Sequence, residues 1–325
     1  INGLGGGSYQ FVWEIYNGQC GFGPPSRDTL QVEIFDTDAP DAQAGADQSF
    51  CTPTNSTTLA GNAPVLPGTG SWSTSSGTAI IVDPSDPSSS VSGLTVGQHD
   101  FTWTIDNGPC GSSSDQVSVF IYDADQPAAN AGPDQDLCTP QTSTTLAGNS
   151  VTFPGTGLWT VIAGAGVFAD ASNPNTGVSG LSIGTNTFRW TIINGPCGNS
   201  EDEVTILVYD GNLAASNAGP DQEICTPASS VTLQGSSVSA PAVGTWVFAS
   251  GSANISNSNS PNATLSGLTV GTYVLQWVVD NGPCGTTTDN VTIEVFDGSA
   301  ANAAAGPDQS FCSPVNGPVT MLASS

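Results

Sequence analysis

There is no lysine in this chain, and only two arginines, Arg27 and Arg189, stand against 28 acidic side chains, for a formal net charge of -26 over 325 residues. Neutralising phosphates takes a basic face, so nucleic acid is excluded as a partner. Such acidity reads as a solvated surface that keeps an apolar-cored molecule from sticking to itself. The one histidine, His99, is expected on the surface, outside any recurring site. No apolar run reaches the length of about 18 residues that could span a bilayer, and no charged-then-apolar leader opens the chain. Any signal or anchor is expected outside it. No nucleophile elbow, Walker loop or zinc-binding helix appears, and no carboxyl pair is set in a substrate cleft for glycoside hydrolysis. The chain reads as a non-enzyme.

No window sustains a period near 3.6 either, and 39 glycines and 23 prolines favour short strands joined by turns over long helices. What the sequence does have is a repeat. The tetrapeptide Gly-Ala-Asp-Gln at Gly45 returns as Gly-Pro-Asp-Gln at Gly132, Gly219 and Gly306, a step of 87 residues each time. Cys51, Cys138, Cys225 and Cys312 form one cysteine series on that step; Cys110, Cys197 and Cys284, with Cys20 ahead of them, form the other. All seven tryptophans fall into the same frame: Trp72, Trp159 and Trp246, then Trp13, Trp103, Trp190 and Trp277. Three complete modules follow at 39–125, 126–212 and 213–299, with the back of another at 1–38 and the front of a fifth at 300–325, so the natural protein is expected to be longer at both ends.

Within a module the period is two. Phe101, Trp103 and Ile105 alternate with polar residues, and after the turn at Asn107–Gly111 come Val117, Val119 and Ile121, the pattern of a half-buried hairpin. About seven strands in under 90 residues, all antiparallel by their short connections, predict tandem immunoglobulin-like β-sandwiches, with the seven tryptophans in their cores.

One histidine and no Cys-x-x-Cys spacing argue against zinc and for disulfides, which places the chain outside the cytoplasm, extracellular or at a cell surface. Two connectivities come into question. One is intramodule: Cys51–Cys110, Cys138–Cys197 and Cys225–Cys284, with partners of Cys20 and Cys312 outside the chain. The other joins Cys20–Cys51, Cys110–Cys138, Cys197–Cys225 and Cys284–Cys312. After Cys110 the chain runs through a last strand to the far end of its module before the next begins, so the second scheme would fold each module back on its predecessor, and the intramodule pairs are expected.

The motif Ala-Gly-Pro-Asp-Gln-x-x-Cys-Thr-Pro, then Gly-Thr-Gly-x-Trp, then Ser-Gly-Leu and Phe-x-Trp-x-Ile-x-Asn-Gly-Pro-Cys-Gly is nearly complete at Ala131–Gln135, Cys138–Pro140, Gly155–Trp159, Ser179–Leu181, Phe188, Trp190 and Asn194–Gly198. It resembles the PKD-like and immunoglobulin-like repeats of large surface proteins of Bacteroidota, adhesins of the type IX secretion route among them. The resemblance implies an extracellular β-sandwich array and no particular ligand.

Between the last strand of one module and the next Gly-Pro-Asp-Gln-type motif every joint has eight residues. A floppy tether tolerates drift in length, so constant length points to fixed geometry; recent duplication would give the same. The aromatic–acid pairs before each joint, Phe35–Asp36, Tyr122–Asp123, Tyr209–Asp210 and Phe296–Asp297, are expected to pack on the neighbouring module. Acids recur at Asp28, Asp115, Asp202 and Asp289 and at Asp47, Asp134, Asp221 and Asp308 as well. They read as turn and strand-end residues bonding their own backbone. Calcium at the joints is the sharper alternative, its candidate ligands Asp36, Asp38, Asp41, Asp123, Asp125 and Asp136. Sequons at Asn55, Asn254, Asn262 and Asn290, and the Asp28-Thr29-Leu30 triplet, are candidate glycan sites. Two functions stay open: a stalk or filament whose partners are neighbouring modules and other copies, and an array whose modules themselves grip glycans or proteins. An accessory region of a secreted enzyme is a third.

Overall fold

The computed structural model describes residues 2–16, 18–20, 23–75, 77–299, 305–314 and 317–320, without the side chain of Cys20. The opening segment is a hairpin of β1 (Gly7–Ile15) and β2 (Ser26–Ile34). The first complete module then has seven strands: β3 (Gln48–Cys51), β4 (Ser56–Thr58), β5 (Thr69–Thr74), β6 (Ile80–Ile81), β7 (Ser90–Ser92), β8 (Gly97–Asp106) and β9 (Ser112–Tyr122). They form a four-stranded sheet in the order β3-β9-β8-β5 and a three-stranded sheet in the order β4-β7-β6. The same two sheets recur in each of the next two modules. A short 3-10 turn at Gly108–Cys110 joins β8 to β9, and its counterparts are Gly195–Cys197 and Gly282–Cys284.

Alternation drives the packing. The inward residues Phe101, Trp103 and Ile105 of β8 and Val117, Val119 and Ile121 of β9 meet Leu59 and Val91 from the opposite sheet in one buried cluster. Two further clusters, within Ala131–Val208 and Ala218–Val295, repeat it. Each core is centred on a tryptophan pair, Trp72–Trp103, Trp159–Trp190 and Trp246–Trp277, with ring centroids 4.9, 5.1 and 4.9 Å apart. The Gly-Thr-Gly-x-Trp motif follows from this pair. A side chain at Gly70, Gly157 or Gly244 would drive into the six-membered ring of the second tryptophan. Trp13 departs from the expectation: no opposite sheet covers the β1–β2 hairpin, and it is 69% exposed.

The expectation of all-antiparallel strands is also corrected. β3 runs parallel to the end of β9, with Gln48 opposite Val119 and Cys51 opposite Tyr122. The Ala-Gly-Pro-Asp-Gln motif is the device that seats it. Asp47 accepts the Ser118 N–H at 2.8 Å, Asp115 accepts the Ala44 N–H at 2.8 Å, and Gln48 reaches the other sheet through the Thr57 hydroxyl and the Thr58 carbonyl. Asp134 and Asp202, then Asp221 and Asp289, repeat the first two bonds.

His99, expected at the surface, is 4% exposed. Its Nε2 meets the Thr95 carbonyl oxygen at 2.8 Å. Asn186 bonds the Ser182 backbone and Tyr273 the Thr269 backbone from the same position, and the Tyr9 hydroxyl bonds the Gly5 carbonyl. The position recurs after all, as a polar tether from the β8-type strand to the loop four residues before it, like the tyrosine corner of immunoglobulin sandwiches. Gly157→Ala is expected to overpack the Trp159–Trp190 pair and destabilise the second complete module by about 1–3 kcal/mol. Scanning calorimetry should show one of the module transitions moving down while the others hold.

Candidate functional site: the joints between modules

Parallel seating of the first strand decides where the cysteines lie. Cys51 ends β3 beside Tyr122, at the pole where the chain leaves the module. Cys110 lies at the opposite pole, ahead of the 11-residue strand β9, which at about 3.3 Å per residue spans about 35 Å. A bridge needs Cα atoms within about 7 Å. The expected pairs Cys51–Cys110, Cys138–Cys197 and Cys225–Cys284 therefore do not form, and neither do the sequence-adjacent pairs of the other scheme. The bridges run between modules: Cys51–Cys197 and Cys138–Cys284, with Cα separations of 5.6 and 5.2 Å, each spanning 146 residues. The first-series cysteine of one module joins the turn cysteine of the next. Cys110, Cys225 and Cys312 are exposed and unpaired; the pairing of Cys20 lies outside the described residues.

Around each bridge the Asn-Gly-Pro-Cys turn docks on the aromatic–acid end of the preceding module. The Asn194 amide donates to the Asp123 carbonyl at 2.7 Å, as Asn107 does to Asp36 at 2.7 Å and Asn281 to Asp210 at 2.9 Å. The following glycine has a positive φ, +51° at Gly195, and lies flat on the aromatic ring: a Cβ there would fall 2.5 Å from Tyr122. Gly282 on Tyr209 and Gly108 on Phe35 repeat the contact, a Cβ falling 2.6 Å from the ring in each. Asparagine, glycine and cysteine of the turn thus each have a task at the joint: one hydrogen bond, one ring contact and one covalent bond. The packing of Phe35, Tyr122 and Tyr209 against the neighbour follows the sequence expectation.

The acids of the joint shape its backbone. Asp36, Asp123, Asp210 and Asp297 each accept the N–H two residues on, at 2.9, 2.9, 2.9 and 2.8 Å, and the Thr52, Thr139 and Thr226 hydroxyls accept from Ala124, Gly211 and Gly298. Among the described residues no three His, Cys, Asp or Glu side chains gather as metal ligands would. Asp38, Asp41, Asp125 and Asp136 thus join no such cluster with Asp36 and Asp123. Tyr209 shows the electrostatics of the joint. Burial pushes its hydroxyl pKa above the usual 10.0, and the carboxylates of Asp136 and Asp280 add to the shift. Among the described residues no helix is long and apolar enough to cross a membrane.

Two outcomes are expected. Peptide mapping of the unreduced chain should recover Cys51–Cys197 and Cys138–Cys284 and neither intramodule pair. The raised pKa of Tyr209 means the seated ring holds its proton more tightly than a free one. That contribution is complete below pH 10.0 and is lost as pH climbs through the seated value, so ultraviolet titration against Tyr209→Phe should give a midpoint above 10.0.

Comparison with known proteins adds a family to this geometry. Residues 218–295, within the third complete module, match the family model of KIAA0319-like PKD domains. The mouse Dyslexia-associated protein KIAA0319 homolog is 31% identical over 234 residues, which are 66% of this chain and 22% of that protein. The human Dyslexia-associated protein KIAA0319 is 28% identical over 234 residues, again 66% and 22%. The solution structure of the PKD domain from KIAA 1837 protein covers 30% of this chain and 95% of its own, at 31% identity and a TM-score of 0.24. The chain spans about a fifth of the length of the curated relatives it matches. Its modules are PKD-like domains of the immunoglobulin-like sandwich type, in tandem.

Proposed function

We propose that this segment is a structural stalk of a large extracellular surface protein, of the adhesin type that its repeat motif resembles in Bacteroidota and type IX secretion, and that it has no catalytic role. The observation that carries the reading is the joint itself: every interior boundary between complete modules is closed by a seated ring, an asparagine bond and a disulfide. A tether built for free rotation has no use for any of them, whereas a strut needs to fix its segments. The bridges accord with an oxidising compartment. The acidic surface and near-absence of lysine and arginine suit an exposed object, since trypsin-like proteases find little to cut.

The alternative of modules gripping ligands through their turns is disfavoured by the same geometry. The invariant Asn-Gly-Pro-Cys turn is the region most alike across modules, and at each joint it is covered by the preceding module. Small-angle scattering on the oxidised chain should therefore give a narrow, extended distance distribution. The double variant Cys51→Ser, Cys138→Ser should broaden it. Oxidised protein that bends as freely as this variant would remove the stalk reading.

A further inference from the structure

The third complete module carries a joint surface that nothing among the described residues covers. Phe296 is 47% exposed, where Phe35, Tyr122 and Tyr209 lie half-buried under the next glycine. The surface nevertheless holds the conformation of the closed joints. The Thr226 N–H donates to the Phe296 carbonyl at 3.0 Å, as Thr52 does to Tyr122 at 2.9 Å and Thr139 to Tyr209 at 3.0 Å. The Thr226 hydroxyl accepts the Gly298 N–H at 2.9 Å, matching both closed joints. Cys225 stands opposite Phe296 in the parallel register, exposed and unpaired, at the position from which Cys51 and Cys138 reach across. A surface ready-shaped before its partner arrives loses little ordering entropy on binding.

We propose that Cys225, the Phe296 ring and the Asp297 carbonyl together receive an Asn-Gly-Pro-Cys turn from another module of this repeat type, whose cysteine bonds to Cys225. The inference rests on reading the joints as structural couplings. A second copy of the chain carries one such turn with an unpaired cysteine, Asn107–Cys110. There Phe35 occupies the ring contact and Asp36 the asparagine. Cys110, however, has only the Phe35 carbonyl, 4.0 Å from its sulfur. Because donor and acceptor are different surfaces, copies joined this way extend head to tail without closing. With glutathione disulfide as oxidant the step balances. The Cys225 thiolate attacks it and releases one glutathione thiolate; the Cys110 thiolate then attacks the mixed disulfide and releases the second.

The full chain and its Phe35→Ala variant, incubated with glutathione disulfide and mapped unreduced, test this. Expected is a Cys110–Cys225 link as the dominant intermolecular bridge, several-fold more abundant in Phe35→Ala, and lowered when Phe296→Ala is added. The internal bridges Cys51–Cys197 and Cys138–Cys284 in the same digest report that the modules are folded. Cys110–Cys110, Cys110–Cys225 and Cys225–Cys225 links in random proportion would overturn the proposal, as would no link at all in Phe35→Ala. Loss of the internal bridges in the unaltered chain would instead overturn the coupling reading beneath it.

Discussion

The parallel seating of a module's first strand on its last is the constraint from which the other features follow. A strand that entered antiparallel would leave Cys51 at the pole where its module begins, within reach of Cys110 and far from the next module. Held parallel by the Asp47 and Asp115 carboxylates, it delivers the cysteine to the exit pole instead. The hairpin turn of every module points toward the entry pole, so cysteine and turn of consecutive modules meet. Backbone hydrogen bonds to charged carboxylates are among the stronger contacts a main chain makes, roughly 1.5–3 kcal/mol each, and this pair recurs in all three modules. The acids that a composition reading would offer to calcium are engaged in placing the strand that makes the joint possible.

Much of this was legible in the sequence. The 87-residue step, the two-residue period of Phe101-Trp103-Ile105 and Val117-Val119-Ile121, and the pairing of tryptophans follow from side-chain pattern alone, because period two and burial are properties of single strands. The aromatic at each joint was legible for a similar reason: a ring beside an acid at a boundary of constant length has few other uses. Partner choice was not legible. A four-residue strand such as Gln48–Cys51 has the same alternation whether it runs parallel or antiparallel, and the disulfide pattern turns on that one direction. Once the strand is taken as parallel, the spacing points to the observed bridges, since 146 is the sum of the 59 residues within a module and the repeat of 87.

The misjudged single residues have a related cause. His99, Asn186 and Tyr273 look unrelated as amino acids, yet each offers a polar atom at about the same reach from the strand, so the shared role is geometric and invisible to residue identity. Trp13 fits the core register by its neighbours, but a register position becomes a core position only when an opposite sheet covers it. The turn glycines could have been found from their fixed spacing to cysteine; what that spacing could not say is that the missing side chain makes room for a ring from a different module.

The two bridges are interleaved rather than nested or consecutive: in chain order the cysteines read 51, 138, 197, 284, bonded first to third and second to fourth. Cutting the peptide anywhere between Cys51 and Cys284 at one place leaves both pieces covalently joined, since at least one bridge spans every such break. The shortest bonded route from Cys51 to Cys284 crosses to Cys197, runs backward 59 residues to Cys138 and crosses again, against 233 residues along the backbone. Drawn taut at roughly 3.4 Å per residue, that is about 200 Å in place of about 790 Å. Torn open by shear, the array would pay out only a quarter of its thread.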